Sequence, residues 1–495
     1  MWAMSAVGYR RLGAAGSVAT AAGGWAAGTL PTRDPWGIWV PHGPGVTVAA
    51  TVLAYLGLTL LVVAWWGYGR AGSSVRETLT TLGWWTAPML LAPPLHSADV
   101  YSYIAQGAMV LEGHDVYGAG PSVLDPGGVG GDAAASVGGH WTDTPAPYGP
   151  VFLVLAQAVT TATGGTIVPA VLGMRLIAVA ALALIVWALR RLARDRGEGG
   201  EGGERGALWL GALNPLLLLH VVGGMHNDGL MIALMLAGVV LARRGRWVAG
   251  SALVGLAMMV KSPAAVALLF VGVAVGRAAT GRPAVHRVVK GLVGPGLVAG
   301  AVAAGATLLA GTGFGWLRTQ SVAGTIHTAL SVTSDLGLLL GELLHALLGT
   351  DPDPVKTAVQ RLGLAAALAV IAYLAWRSAR GRPSPVHALG LALVALVVLS
   401  PMVQPWYLLW GTTVVAATAW DGRAGRVLAV LSAALVYETA PSGATPWYGF
   451  ALAAVAGAAG TVLVRRAATA RPDRTRVPAP RRAEREPQPE SDRLR

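Results

Sequence analysis

Residues 79–107 read LTTLGWWTAPMLLAPPLHSADVYSYIAQG, and this stretch passes from an apolar run into a polar loop. The apolar run ends at Pro93-Pro94, and the loop stays polar until Tyr148-Gly149-Pro150. Asp99 therefore lies a few residues beyond the predicted end of a membrane helix, at the boundary between lipid and water. An enzyme that acts on a lipid-linked substrate needs its base at this level. The alternative is that Asp99 only caps a short helix, since Asp is a favoured N-cap residue.

The composition indicates a polytopic membrane protein rather than a string of soluble domains. Of the 495 residues, 54% are hydrophobic and only 12% are charged, and the mean hydropathy is +0.56. In soluble domains about a quarter of the residues are charged. The net charge of +13 does not indicate nucleic-acid binding, because the basic residues cluster between apolar runs. The chain has no cysteine, which excludes disulfides and thiolate chemistry.

Apolar runs recur along nearly the whole chain. A span needs about 20 apolar residues to cross about 30 Å of hydrocarbon, and we predict an all-α polytopic fold with about 12–14 transmembrane helices. Two runs are broken at Lys261-Ser262-Pro263 and form either two short helices or one re-entrant hairpin, and the run Val151 to Thr163 is expected at the interface. The candidate runs are 12–30, 45–68, 79–94, 170–192, 207–222, 227–242, 247–260, 263–276, 288–311, 357–376, 386–400, 405–420, 426–440 and 447–464.

The distribution of Lys and Arg predicts that both termini are cytoplasmic, because basic loops stay on that side of a membrane. The loop that carries Asp99 then faces outward from the cell (plasma) membrane. The first apolar run is an alternative candidate for the h-region of a signal peptide, although we favour a retained helix. The predicted outer loops contain one Arg between them, Arg33, and they are 31–44, 95–147, 223–226, 401–404 and 441–446.

Two regions divide the chain. Residues 1–464 are expected to form one transmembrane domain with a long outer loop, 95–147, and residues 465–495 a disordered basic cytoplasmic tail near anionic lipid. The outer loop holds six acidic residues and neither Lys nor Arg. Its middle, 118–139, is rich in Gly, Ala and Ser, and we expect it to be flexible.

The first candidate constellation follows Asp99. A helix that begins near Ala98 would carry Asp99, Tyr103 and Gln106 on one face, at i, i+4 and i+7. With Tyr101, this segment offers a carboxylate, phenols and an amide, which hold sugars by stacking and by hydrogen bonds to hydroxyls. The same pattern fits an amphipathic helix on the membrane surface with its aromatics as anchors, and the two interpretations are compatible.

The end of the outer loop is the second candidate. The segment Trp141-Thr-Asp143-Thr-Pro-Ala-Pro-Tyr148-Gly-Pro150 is stiffened by its prolines, which fix φ. Asp143 and Tyr148 are therefore candidates for one wall of a substrate site. The alternative is a rigid turn into the next helix.

A polar cluster interrupts the apolar hairpin around residue 226. His226, Asn227 and Asp228 are costly there unless they are satisfied or useful, so we predict that they contact substrate. The alternatives are helix capping by Asn227 or Asp228 and a metal site. No other His and Asp spacing supports a metal, and we predict none.

Three further residues complete the predicted site. Lys261 stands alone in an apolar region near the outer face and is a candidate for holding an anionic substrate group. The alternative is that it snorkels to lipid phosphates or pairs with an acid such as Asp228. Gln404 and Trp406 lie in a short outer turn, where an aromatic anchor at the membrane interface is the alternative. No Walker motif is present, which argues against ATP hydrolysis.

These residues together resemble a known family. A many-helix membrane protein with an outward carboxylate after an early span resembles the GT-C glycosyltransferases. More closely, Asp99-Val-Tyr-Ser-Tyr103, Asp143-Thr-Pro-Ala-Pro-Tyr-Gly-Pro150, and Asn214-Pro-Leu through His226-Asn-Asp228 resemble the actinobacterial MptA/MptB mannosyltransferases. The similarity runs from about residue 80 to residue 260 and is weaker beyond.

The resemblance implies an inverting α-1,6-mannosyltransferase without a cofactor. The implied donor is polyprenyl-phosphate mannose, and the implied acceptor is the lipid-anchored α-1,6-mannan of lipomannan and lipoarabinomannan. Asp99 is then the catalytic base that deprotonates the acceptor 6-hydroxyl. Many related enzymes carry an acidic pair in the first loop, whereas Asp99 has no adjacent acid, which argues against a metal-dependent version.

Two other functions stay open from the sequence. A lipid-linked sugar transporter or flippase would fit the break at Lys261-Ser262-Pro263, since transporters often contain broken helices and inverted repeats, but no repeat is visible. A GT-C transferase for another sugar would carry the same kind of base. The long acidic and aromatic outer loop favours an enzyme.

Overall fold

The computed structural model describes residues 4–195, 200–279 and 281–469, and within them all regular structure is helical. The predicted fold class, an all-α polytopic membrane protein, is confirmed. The last helix continues to Thr469, past the predicted start of the tail at residue 465. The rest of that tail lies outside the described residues.

The helices of the N-terminal half include those that carry the outer loop. They are α1 (Ala6–Ala27), α2 (Pro44–Tyr68), α3 (Val75–Thr86), α4 (Asp99–Leu111), α5 (Gly131–Val137), α6 (Pro150–Thr163), α7 (Ile167–Arg194), α8 (Gly200–Gly211), α9 (Pro215–Leu217, continued by a π-helical turn over Leu218–Gly223) and α10 (Asp228–Arg243).

The C-terminal half continues in the same way. Its helices are α11 (Trp247–Met258), α12 (Val266–Ala278), α13 (Ala284–Val288, continued by a π-helical turn over Val289–Val293), α14 (Gly294–Ala310), α15 (Val322–Thr325), α16 (Val332–Leu348), α17 (Pro352–Ala379), α18 (Pro385–Val398), α19 (Leu408–Ala419), α20 (Arg423–Leu435) and α21 (Trp447–Thr469).

Only some of these helices are long and apolar enough to cross a membrane unaided. Among the described residues there are five, or six if α8 and Pro215–Gly223, which meet at a bend of 46°, form one span. Other predicted runs form shorter apolar helices, such as α6, α11 and α18, so the number of 12–14 spans stays a prediction. The five are Pro44–Tyr68, Ile167–Arg194, Val285–Ala310, Pro352–Ala379 and Trp447–Ala467.

The predicted break at residues 261–263 is confirmed. Lys261 is extended (φ −154°, ψ 129°) between α11 and a 3₁₀ turn over Ser262–Ala265. Pro263 explains the break, because it has no backbone N–H to continue the hydrogen bonds of α11 and is tolerated only near the start of the next helical segment. The two short helices therefore meet at Lys261.

The middle of the outer loop is folded, contrary to the expectation of flexibility. It contains α5, whose Ala133 and Val137 are buried. Gly130, at φ +76°, approaches α4 so closely that an added Cβ would lie 2.5 Å from the Cβ of Ala108. The small residues that suggested flexibility instead allow the loop to pack tightly on α4.

A buried arginine fixes the two segments that lead into the site. Arg175, on α7, donates hydrogen bonds to the carbonyl oxygens of Leu90 (2.9 Å) and Ala92 (2.7 Å), just before the Pro93-Pro94 turn. Its guanidinium also reaches the carbonyls of Val222 (3.4 Å) and Gly223 (3.5 Å), just before His226. A buried charge is tolerated when it is fully hydrogen-bonded, and here it ties the approach to Asp99 to the approach to His226.

Candidate active site

Asp99 is the first residue of α4, and 24% of its side chain is exposed. The carboxylate does not cap the helix, since the N-cap position belongs to Ala98. Instead its Oδ2 accepts a hydrogen bond from the Tyr103 hydroxyl at 3.4 Å and lies 3.2 Å from Nδ1 of His226. Asp99 and Tyr103 therefore lie on one face of α4, as the i, i+4 spacing predicts. The carboxylate is held on one side and open to solvent on the other.

The surroundings of Asp99 favour its ionised form. Burial alone would raise the pKa of this carboxyl group. The hydrogen bond and charge of His226 and the charge of Lys261 outweigh that effect and hold the pKa of Asp99 below its ordinary value of 3.8. At neutral pH the group is therefore a carboxylate that can accept a proton.

His226 joins Asp99 to a buried aromatic cluster. Its ring stacks on Trp406 with centroids 3.7 Å apart and planes inclined by 21°. The ring of His220 lies 5.6 Å from His226, and that of His96 lies 5.8 Å from His220. The Nδ1 of His96 is 2.9 Å from the carbonyl of Thr439, and burial lowers the pKa of His96 to about 4, so it is neutral at pH 7. Trp406 is only 6% exposed, which rules out the aromatic-anchor alternative.

Two residues near this cluster have unusual backbone conformations. His96 (φ 62°) and Met225 (φ 53°) lie in the left-handed region without being glycine. Such conformations cost on the order of 1–3 kcal/mol each and persist only where the surrounding structure imposes them. Here the two conformations direct the segment that carries Asp99 toward the segment that carries His226.

The aromatic wall of the site comes from α4 and the end of the outer loop. The ring of Tyr103 packs edge-on against Tyr148 (5.4 Å) and Phe152 (4.8 Å). Gly149 then passes so close to α11 that a Cβ there would lie 2.4 Å from the carbonyl oxygen of Met259. The proline-rich segment is thus fixed against the rest of the protein, as a wall requires.

The start of α10 supplies buried polar groups. The backbone N–H of Asn227 donates to the Tyr103 hydroxyl at 3.4 Å, while the side-chain amide of Asn227 makes no hydrogen bond within the described residues. Asn227 therefore does not cap the helix with its side chain. An unsatisfied buried amide is costly, so this one is suited to a ligand hydroxyl.

A buried ion pair lies beside these groups. Nζ of Lys261 is 3.0 and 2.8 Å from the two carboxylate oxygens of Asp228, and Nε1 of Trp410 donates to Asp228 Oδ1 at 2.6 Å. The ammonium also lies 4.4 Å from the centre of the Tyr407 ring. The side chain of Lys261 is 15% exposed and that of Asp228 only 1%. Lys261 therefore pairs with Asp228, which is one of the alternatives considered from the sequence.

Other predicted site residues lie apart from this cluster. The Tyr101 hydroxyl donates to the carbonyl of Thr29 at 2.7 Å, so its tip is directed toward the end of α1. Gln106 is buried, with Oε1 unpartnered among the described residues. Asp143 is exposed and its backbone packs against Gly120. Gln404 is half-buried at the start of the turn that carries Trp406.

Sequence reasoning missed several residues. Trp410, which lies near Lys261, belongs to an apolar run with no polar signal. Tyr407 belongs to the predicted outer turn of Gln404 and Trp406, but its contact with Lys261 was not predicted. Arg175 had a signal, since a lone arginine inside a span is unusual. In the described part of the chain, no group of three or more His, Cys, Asp or Glu is arranged to hold a metal ion.

Comparison with known proteins identifies the family of the chain. Residues 10–277 match the family model described as alpha-(1->6)-mannopyranosyltransferase, N-terminal domain, and residues 333–467 match the MptB C-terminal domain. The matches extend well beyond residues 80–260, where the sequence resemblance is strongest. No solved structure matches the chain.

Curated relatives agree with the family models. The chain is 34% identical to alpha-(1->6)-mannopyranosyltransferase A of Mycobacterium tuberculosis, over 90% of this chain and 86% of the relative. It is 34% identical to a probable alpha-(1->6)-mannopyranosyltransferase of Mycolicibacterium smegmatis (86% and 81%) and 31% identical to alpha-(1->6)-mannopyranosyltransferase B of Corynebacterium glutamicum (87% and 75%). These names support neither a transporter nor a transferase for another sugar. The chain therefore belongs to the alpha-(1->6)-mannopyranosyltransferase family and is a membrane-embedded mannosyltransferase.

Proposed function

We propose that the protein transfers mannose from polyprenyl-phosphate mannose to a growing, lipid-anchored α-1,6-mannan, the backbone of lipomannan and lipoarabinomannan. The reaction takes place on the outer side of the plasma membrane, without a metal or cofactor. The observation that carries the proposal is the ionised, partly exposed Asp99 carboxylate held by His226 and Tyr103. The ammonium of Lys261 lies close enough to act on the charge of Asp99.

The reaction inverts the configuration of a β-linked donor. Asp99 accepts the proton of the acceptor 6-hydroxyl while the oxygen attacks the anomeric carbon of mannose. The bond between that carbon and the phosphate oxygen breaks, and polyprenyl phosphate leaves with the bonding electrons. A positioned general base of this kind contributes about 10²- to 10⁴-fold to the rate.

Lys261 serves the leaving phosphate. An ammonium has three hydrogen-bond donors, and Asp228 occupies two of them at 3.0 and 2.8 Å. In this scheme the third donor binds an oxygen of the phosphodiester, where positive charge stabilises the negative charge that develops on the leaving group. Asp228, Trp410 and Tyr407 hold the ammonium in place.

The mannosyl group lies between the aromatic wall and the start of α10. Tyr103 and Tyr148 offer ring edges and hydroxyls, and the unsatisfied amide of Asn227 offers both a donor and an acceptor for sugar hydroxyls. A sugar hydroxyl at this position would give the buried amide of Asn227 the partner that it lacks among the described residues. Residues 1–464 form the transferase domain in this scheme.

The experiment is transfer in membranes that contain the expressed protein. A short-chain polyprenyl-phosphate [¹⁴C]mannose is supplied with a synthetic α-1,6-dimannoside, and the product is digested with a linkage-specific mannosidase. We expect a labelled trimannoside with a new α-1,6 bond. Transfer from GDP-mannose but not from the polyprenyl donor would refute the donor class, and a polyprenyl-phosphate pentose that works equally well would refute the sugar specificity.

A further inference from the structure

A cavity lies at the opposite end of the helices that form the site. It encloses about 700 Å³ between α10, α11, α12 and α18, within the range of roughly 300–1,000 Å³ that is typical of ligand pockets. Its inner wall is apolar, with Val239, Phe270, Val271 and Leu389 among the lining residues. A pocket of this size and polarity is suited to a hydrocarbon chain.

The helices themselves separate this cavity from the active site. α10 begins at Asp228, in the site, and ends at Arg243, on the cavity rim. Its 16 residues correspond to about 24 Å at 1.5 Å per residue. The hydrocarbon core of a bilayer is about 30 Å thick, so the cavity opens near the interface opposite the active site.

The mouth of the cavity is positively charged. Arg243, Arg277 and Lys290 line it and are exposed. Arg243 and Arg277 each reach a backbone carbonyl, of Asp195 (3.4 Å) and Ser378 (3.3 Å) respectively. Within the described residues none of the three forms an ion pair, because the carboxylate of Asp195 is paired with Arg244. Three unpaired cations around an apolar pocket at headgroup depth complement a lipid with an anionic headgroup.

We propose that this cavity binds a glycerophospholipid with an anionic headgroup, distinct from the donor and acceptor of the transfer reaction. One acyl chain fills the apolar interior, and the phosphate lies among Arg243, Arg277 and Lys290. The site does not depend on the proposed donor or acceptor. It provides this end of the molecule with a fixed lipid in the leaflet opposite the chemistry.

The test uses the full-length protein in nanodiscs made mostly of phosphatidylcholine. A minor fraction of lipid carries a brominated acyl chain, as either phosphatidylglycerol or phosphatidylcholine. Trp247 lines the cavity, and its contribution to quenching is obtained by difference from a Trp247→Phe protein. We expect brominated phosphatidylglycerol to quench Trp247 about fivefold more strongly, since one basic residue near a surface already gives about this preference. Equal quenching by the two lipids would refute the site.

Variants test whether the preference for phosphatidylglycerol depends on the three basic residues of the rim or on surface charge in general. The Arg243→Gln/Arg277→Gln/Lys290→Gln protein should lose the preference, whereas a charge-matched control in the same segments, Arg246→Gln/Arg282→Gln/Arg287→Gln, should keep it, because these three exposed residues do not line the cavity. If both proteins behave alike, the preference is a property of the surface and the proposal fails.

A second variant tests the apolar interior independently of charge. Ala274→Phe fills the cavity and leaves the rim intact, so it should also abolish the preference.

Millimolar glycerol phosphate should not restore Trp247 fluorescence in the wild-type protein, because the hydrocarbon chain contributes to binding. Displacement by glycerol phosphate would assign the site to a free phosphate compound instead of a lipid. Mannosyl transfer by each variant reports that it is folded.

Discussion

Nδ1 of His226 lies 3.2 Å from Oδ2 of Asp99, although the two residues belong to segments more than a hundred residues apart. The imidazole is buried against Trp406, so it cannot swing away from the carboxylate. An aspartate used as a base must present one oxygen to the acceptor hydroxyl in a fixed direction. His226 provides this by holding the other side of the carboxylate.

Asp99→Asn should lower mannosyl transfer by about 10²- to 10⁴-fold, because the amide keeps the shape of the side chain but cannot accept the proton. The measurement is the initial rate with polyprenyl-phosphate mannose, normalised to the amount of folded protein. Glu112→Gln, the same change at the exposed end of α4, is the matched control and should retain full activity. More than about half of the wild-type rate in an equally abundant Asp99→Asn protein would exclude Asp99 as the base.

His226→Gln should lower kcat by about 10- to 100-fold while leaving both KM values nearly unchanged, since hydrogen bonds to a charged group are worth about 1.5–3 kcal/mol. Trp406→Leu should have a smaller effect in the same direction, because the imidazole remains but loses its support. A rise in donor or acceptor KM at constant kcat would instead assign His226 to substrate binding.

Protonation of Asp99 should not lower the rate of mannosyl transfer at neutral pH. The pKa of Asp99 lies below 3.8, so the base is ionised at neutral pH and is lost only when the pH falls toward that value. We expect the acid limb of kcat/KM that belongs to Asp99 to lie below pH 3.8, the ordinary pKa of the group. An acid limb near pH 6.5 that persists in His226→Gln would show that Asp99 has a raised pKa and would contradict this environment.

The face of α4 was predictable because helical spacing is local. Asp99, Tyr103 and Gln106 recur at i, i+4 and i+7, and the Asp99–Tyr103 hydrogen bond follows from that spacing alone. Tyr101 was predicted as a site residue because it belongs to the motif Asp99-Val-Tyr-Ser-Tyr103. Residues at i and i+2 do not share a helix face, and Tyr101 accordingly contacts Thr29.

The rest of the site depends on contacts between distant segments. Trp410 is 182 residues from the aspartate to which it donates, and Trp406 reaches His226 over a similar separation. No periodicity connects such residues, and their indoles are indistinguishable in sequence from membrane-interface anchors. The break at Lys261 was visible because proline acts locally, whereas the partner of Lys261 was only one of several acids within reach.

Topology can be tested with single cysteines, because the chain has none of its own. Cysteine at Ser122, an exposed position in the outer loop, should react with an impermeant thiol reagent in whole cells. Cysteine at Gly199, outside the described residues, or at the exposed Gly281 should react only after permeabilisation. The reverse pattern would put Asp99 in the cytoplasm and overturn the proposed outer-face reaction.

Lys261→Met should raise the KM for the donor, lower kcat, or both, and leave the acceptor KM little changed. It also leaves the Asp228 carboxylate unpaired, and breaking a buried pair costs about 3–5 kcal/mol, so the single variant should lose thermal stability. Lys261→Met/Asp228→Asn removes both charges and should recover much of that stability without recovering donor kinetics. The double variant thus separates the two roles of the lysine.

If stability and donor KM both recover in the double variant, Lys261 only neutralises Asp228. If donor kinetics are unchanged in a well-folded Lys261→Met protein, the donor phosphate is bound elsewhere.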